Sequence, residues 1–158
     1  MVKLGREIMK IIATNKKAYF DYFVISTYEA GLVLEGSEVK SIRKGNVNLK
    51  DAFIYFNSKE EVFVKNMFIK KFENFGGFEI DEKRDRKLLL NKSEIRKLAS
   101  KTKEKGYSCV PLKICLKANK FVKLEIGLVK GKKTYDKKET IKQNDIKREV
   151  EREIKNYR

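Results

Sequence analysis

The chain has 158 residues, enough for one well-buried core but short for two independent domains. Lys and Arg number 38 against 22 Asp and Glu, a formal charge of +16, and the self-repulsion this entails points to a polyanionic partner. Histidine is absent, which removes the commonest general base and metal ligand, and no apolar run approaches the length needed to cross a bilayer as a helix.

The first ten residues include Glu7 and lack the apolar stretch and cleavage site of a secretory leader, so a cytoplasmic location is expected. Alternation together with β-branched and aromatic enrichment predicts strands at about 8–13, 18–27, 31–35, 51–56, 61–70, 109–117 and 121–130. After the third of these, Gly36 to Gly45 predicts a short helix. Ser37 serves as its cap, Glu38 suits the positive end of its dipole, and Gly45 marks its exit. At helical spacing Val39 and Ile42 fall on one side, and Lys40, Arg43 and Lys44 on the other, giving a pinned helix with a basic face.

Phe53 to Phe56 and Val62 to Ile69 read as a hairpin, and residues 72–86, with Gly76-Gly77 and a charged run, as a long loop. Asn91 with Glu94 resembles a capping box for a helix carrying Ile95, Leu98, Ala99 and Thr102, closed by Gly106. The last hairpin is the clearest. Val110, Leu112, Ile114 and Leu116 alternate with Pro111, Lys113, Cys115 and Lys117, and Val122, Leu124, Ile126 and Leu128 with Lys123, Glu125 and Gly127. One apolar face is expected, with Lys113, Lys117, Lys123 and Lys130 on the outward parity. Pro111, lacking an amide donor, belongs at an edge or a bulge. Cys109 and Cys115, about 20 Å apart along the same face of one strand, are packed hydrophobes rather than a disulfide. The fold class is mainly β: a small closed antiparallel β-barrel of oligonucleotide-binding type with short flanking helices and a basic C-terminal tail.

Composition divides the chain into a body, residues 1–130, with a net charge of +12, and a tail, 131–158, with +4. In the tail Ile146, Val150, Ile154 and Tyr157 make a narrow stripe, and Thr140 with Gln143 offers a capping box. So thin a stripe leaves an isolated helix marginal, and the tail is expected to become helical against a charged partner.

Carboxylates are scattered singly along the body and two cysteines cannot converge on a metal, so no catalytic residue, no metal site and no cofactor are implied. Gly127 to Thr134 imitates a phosphate-binding loop, but only three residues separate Gly127 from Gly131, and Lys133 intervenes before Thr134. It reads as a basic exit from the last strand. Tyr19-Phe20-Asp21-Tyr22-Phe23 interleaves rings with polar groups, and the outward lysines can meet phosphates, a combination suited to RNA. A surface mainly of Lys supplies charge more than base readout.

The combination Asn15-Lys16-Lys17-Ala18-Tyr19, Tyr28-Glu29-Ala30-Gly31, Gly36 to Arg43, Arg86-Lys87-Leu88-Leu89-Leu90-Asn91, Val110-Pro111-Leu112-Lys113 and Gly131-Lys132-Lys133 resembles the small protein B (SsrA-binding protein) family. The resemblance runs from about Ile12 onward. It implies a non-enzymatic adaptor that binds the tRNA-like part of transfer-messenger RNA and delivers it to stalled ribosomes. Asn15, Glu29, Leu89 and Lys123 match the family's RNA-binding positions. Lys16, Lys40, Arg43 and Asn91 complete the candidate body surface. By the same resemblance the tail probes the empty messenger channel of the small ribosomal subunit: Tyr135 stacks on a base, Lys132, Lys133, Lys137 and Lys138 face phosphates, and Asp136 caps a helix. Phe20 stands where many members carry His, and Lys138 where Arg is frequent. The implied partners are transfer-messenger RNA and the small subunit with its RNA, with no membrane, and the protein acts as a monomer. The alternative on residues alone is a non-specific single-stranded nucleic-acid binder.

Overall fold

The strong alternation of the last hairpin becomes the centre of the sheet. In a computed structural model, which describes residues 2–4, 7–71, 81–118 and 121–132, β9 (Tyr107–Lys117) and β10 (Phe121–Gly131) pair antiparallel from Lys117–Phe121 to Tyr107–Lys130. β3 (Tyr22–Leu32) takes the other edge of β10, and β2 (Glu7–Thr14) the other edge of β9, with β1 (Val2–Leu4) outside it. Beyond β3 come β8 (Arg86–Leu89), β6 (Val62–Lys65) and β5 (Phe53–Phe56), in the order β1-β2-β9-β10-β3-β8-β6-β5. A separate ribbon joins β4 (Val47–Asn48) to β7 (Phe68–Ile69). The fold is therefore mainly β and antiparallel. Closure of a barrel was expected; among the described residues the ladder order is open, β5 approaching β9 without pairing to it.

The expected single apolar face of β9 is corrected by a bulge. Lys113 faces Glu125 and Pro111 faces Ile126, leaving Leu112 as the extra residue, and an inserted residue reverses the parity of the strand. Ile114, Leu116 and Cys109 join the main core with Leu124 and Ile126, whereas Val110 and Leu112 pack with Val129 and Ala18 in a smaller cluster. Pro111 sits at that bulge, as its missing donor requires. The cysteines are both free and buried, but not on one face: Cys109 lies in the main core, while Cys115 lines a surface groove. Burial pushes the Cys109 thiol up to about 12, so it is an inert packing group.

Residues 18–27 do not form one strand. Lys16–Asp21 is a helix, α1, because Asn15 accepts the Ala18 N–H on its side-chain oxygen (3.1 Å) and Ala18 buries against Val110, Leu112 and Val129. The expected strand at 31–35 is the end of β3, which stops at Leu32. The stretch 61–70 is two strands, broken where Asn66 adopts φ 64°. β1, β4 and β8, two to four residues each, were not anticipated. α2 (Gly36–Arg43) forms where predicted, with Ile42 fully buried, Lys40, Arg43 and Lys44 exposed, and Gly45 at φ 80°. Its cap is Glu35 rather than Ser37: the Glu35 and Glu38 side chains each bind the other's backbone N–H, while Ser37 is buried in the first turn. α3 (Lys92–Thr102) starts from Asn91, whose oxygen accepts the Glu94 N–H at 2.9 Å. It ends before Gly106, which turns the chain into β9. Residues 72–80 and 133–158, and with them most of the loop read at 72–86 and the tail helix, lie outside the described residues; 81–85 carry no helix or strand, but Arg86 opens β8 rather than ending the loop.

Candidate nucleic-acid interface

Residues directly opposite each other on antiparallel strands project from the same face, so the register of the sheet states which side chains meet. One row crosses β2, β9, β10, β3 and β8 as Ile11, Cys115, Lys123, Gly31 and Leu89. The adjacent row is Lys113, Glu125 and Glu29. Leu89 is 55% exposed and Ile11 45%, and the Lys117 ammonium stands 3.8 Å from a Glu29 oxygen. A groove of about 290 Å³ runs between the rows, lined by Met9, Thr27, Tyr28, Glu29, Cys115, Lys123 and Glu125.

Gly31 shapes this surface. A Cβ there would lie 3.3 Å from the Leu89 Cβ, so glycine lets β3 and β8 close up while leaving a gap between Lys123 and Leu89. Lys113, Lys117 and Lys123 outnumber Glu29 and Glu125, which suits a phosphate chain whose bases offer amino groups to the carboxylates. Burial and the carboxylates of Glu125 and Glu29 push the Cys115 thiol up, with Lys113 opposing. The thiol in the groove therefore stays neutral and is no nucleophile. Among the described residues no group of His, Cys, Asp or Glu could hold a metal ion.

Asn15 is not on that surface. It is 6% exposed, and besides capping α1 it donates from Nδ2 to the Pro111 carbonyl at 2.8 Å and from its backbone to the Leu112 carbonyl at 2.7 Å. These bonds satisfy the carbonyls freed by the bulge. Lys16 opens α1 exposed, and Asn91 is exposed just past Leu89, its oxygen also accepting from Ser93 Oγ at 2.8 Å. Lys40 and Arg43 stand together on α2. Lys130, expected beside Lys123, is paired with Tyr107 and Phe23 at the far end of β10; the two are seven positions apart, an odd offset, so they project from opposite faces. The sites Lys133, Tyr135, Asp136, Lys137 and Lys138 lie outside the described residues.

A second charged cluster holds α2 in place. Arg86, fully buried, donates to Glu38 Oε2 at 2.6 Å, to the Met67 carbonyl, and to the Glu82 carbonyl at 3.1 Å. Arg84 donates to both Glu38 oxygens. Burial alone would push the Glu38 carboxyl up, but hydrogen bonds from Arg84, the Glu35 backbone and Arg86 outweigh it and hold the carboxyl below its ordinary value. The Ser41 hydroxyl adds a bond to the Lys70 carbonyl at 2.6 Å. Sequence reasoning missed this cluster because Arg86 sat in a charged stretch read as loop. It also missed Glu125, although alternation in β10 puts that residue on the same face as Lys123.

Comparison with known proteins shows what the chain as a whole is similar to. The model of the family described as SmpB protein matches residues 12–156. The SsrA-binding protein of Geobacillus kaustophilus is 54% identical over 143 residues, 90% of this chain and 91% of the relative. That of Bacillus cereus is 57% identical over the same shares. A chain of the solved structure "tmRNA-SmpB: a journey to the center of the bacterial ribosome" superposes with a TM-score of 0.66 at 40% identity, over 78% of this chain and 85% of its own.

Proposed function

The chain belongs to the SmpB protein family, and from that premise we propose that it is the RNA-binding adaptor of ribosome rescue. Its body binds the tRNA-like part of transfer-messenger RNA and delivers that RNA to stalled ribosomes for trans-translation. The observation that carries this reading is the assembly of Glu29, Lys123 and Leu89, distant in sequence, on one open face of the sheet.

Lys123 and Lys113 meet phosphates, Glu29 accepts from the amino edge of a base, and Leu89 supports an unstacked base. Lys16, Lys40 and Arg43 widen the phosphate footprint, and Asn91 presents its amide nitrogen while its oxygen holds α3. Asn15 acts from inside, by bracing the bulge that aims Lys113. The approach of β5 to β9 supports a sheet curled as in oligonucleotide-binding barrels. The protein works as a cytoplasmic monomer and supplies no catalytic group.

The basic segment that begins at 131 forms the second module; its first two residues are held by the body, Gly131 as the end of β10 and Lys132 on the Asp21 carbonyl, so the part that enters the empty messenger channel of the small subunit is 133–158. There Tyr135 stacks on a base, Lys133, Lys137 and Lys138 face phosphates, and Asp136 begins a helix. Removal of residues 133–158 tests the division. The shortened protein should bind transfer-messenger RNA within about twofold of the full chain and fail to rescue stalled ribosomes; equal loss of both activities would overturn the two-module reading.

A further inference from the structure

Lys132 belongs to the basic segment assigned to phosphates, yet it is fastened to the body. Its backbone N–H donates to the Asp21 carbonyl at 2.9 Å, and its ammonium donates to the Tyr19 carbonyl at 3.3 Å while lying 5.1 Å from the centre of the Phe23 ring. Just before it, Gly131 pairs with Tyr22 and donates to the Gly106 carbonyl at 3.1 Å. Tyr19 and Asp21 end α1, where carbonyls lack partners within the helix and the dipole is negative. A cation with a flexible stem fits that position, and the ammonium gives Phe23, 46% exposed at the edge of a charged surface, a cation–π partner.

We infer that Lys132 is a positioning residue, clamping the first residue beyond the sheet onto α1 and β3 and so fixing the line along which the chain leaves the body. The inference rests on the adaptor reading. A protein that engages two RNA sites at once gains from a joint whose direction is set, because the effective concentration of the second module falls as the joint loosens. Lys132 contributes to rescue through Phe23 and the Tyr19 carbonyl rather than through a ribosomal phosphate.

A double-mutant cycle in the full-length protein tests it, with rescue of stalled ribosomes measured at saturating transfer-messenger RNA. Lys132→Met and Phe23→Leu should each slow rescue by about threefold to tenfold, and the double variant should be no slower than the worse single one. Lys132→Gln, which keeps a donor for the Tyr19 carbonyl, should fall between wild type and Lys132→Met. Effects that multiply, with Gln and Met equally impaired, would overturn the clamp in favour of a phosphate contact. A readout independent of rescue is amide exchange at position 132 in the free protein, which should quicken by about threefold to tenfold in both single variants; unchanged exchange would also overturn the clamp. Failure of the wild-type chain to rescue ribosomes would instead remove the adaptor reading and leave the exchange result to decide the clamp.

Discussion

Glu38 and Glu29 are both carboxylates among basic residues, and their surroundings set them to different work. Glu38, in the first turn of α2, is 4% exposed, enclosed by Arg84 and Arg86 and by the Glu35 N–H. Glu29 stands on the open sheet, its side chain 45% exposed, with a long contact to Lys117 at 3.8 Å. A buried charge has exchanged its water for fixed partners and maintains geometry. An exposed one keeps its hydration and can trade it for a ligand. Net positive charge alone does not distinguish these; the number of committed hydrogen bonds does.

The sharpest way to break the contrast is to remove one member of the buried set. Arg86→Met leaves Glu38 short of a partner, takes the guanidinium from the Met67 carbonyl and leaves the Glu82 carbonyl with the Ile69 N–H alone, and should cost ~3–5 kcal/mol in urea unfolding. Glu29→Gln and Lys123→Met should leave the unfolding curve in place and weaken transfer-messenger RNA binding about tenfold each. Lys123→Met should also flatten the salt dependence by about one phosphate contact. A loss of stability comparable to that of Arg86→Met would erase the distinction.

Acid gives a finer test. Because the Glu38 carboxyl is held below its ordinary value of 4.5 in the folded protein, its contribution is complete above that value and is lost as pH falls through the depressed one. Unfolding midpoints of wild type and Glu38→Gln should therefore converge as pH drops below about 4.5. The smallest effect is expected at the surface Arg96–Glu60 pair, 2.8 Å apart, where Arg96→Ala should leave the midpoint unchanged within error.

Much of this was legible in the residues. The long hairpin, α2 and α3 followed from period, and α3 also from its Asn91 cap; the cap of α2 lay two residues earlier than read, at Glu35. α1 was not legible: six residues are too few for a helical period to emerge, and the rings of Tyr19 to Phe23 imitate a strand. Its decisive feature is Asn15, whose bonds reach Pro111 and Leu112 across the sheet. Pro111 marked an edge or a bulge, but the reversal of parity at Leu112 escaped, because an apolar residue is acceptable on either face when a second small core waits under α1. Glu29, Leu89 and Lys123 were named through the family resemblance, but their meeting in two adjacent rows is a property of strand register, which no local pattern states. Arg86 escaped because a charged residue in a charged run gives no sign of being buried.

The most direct measurement is a competition for the full-length protein between transfer-messenger RNA and a structureless RNA oligomer, run at one fixed, near-physiological salt concentration. The account predicts a clear preference for transfer-messenger RNA that Glu29→Gln diminishes, since charge alone binds both. Equal affinity for the two RNAs, unaltered by that substitution, would contradict it and reduce the sheet face to a general single-strand surface.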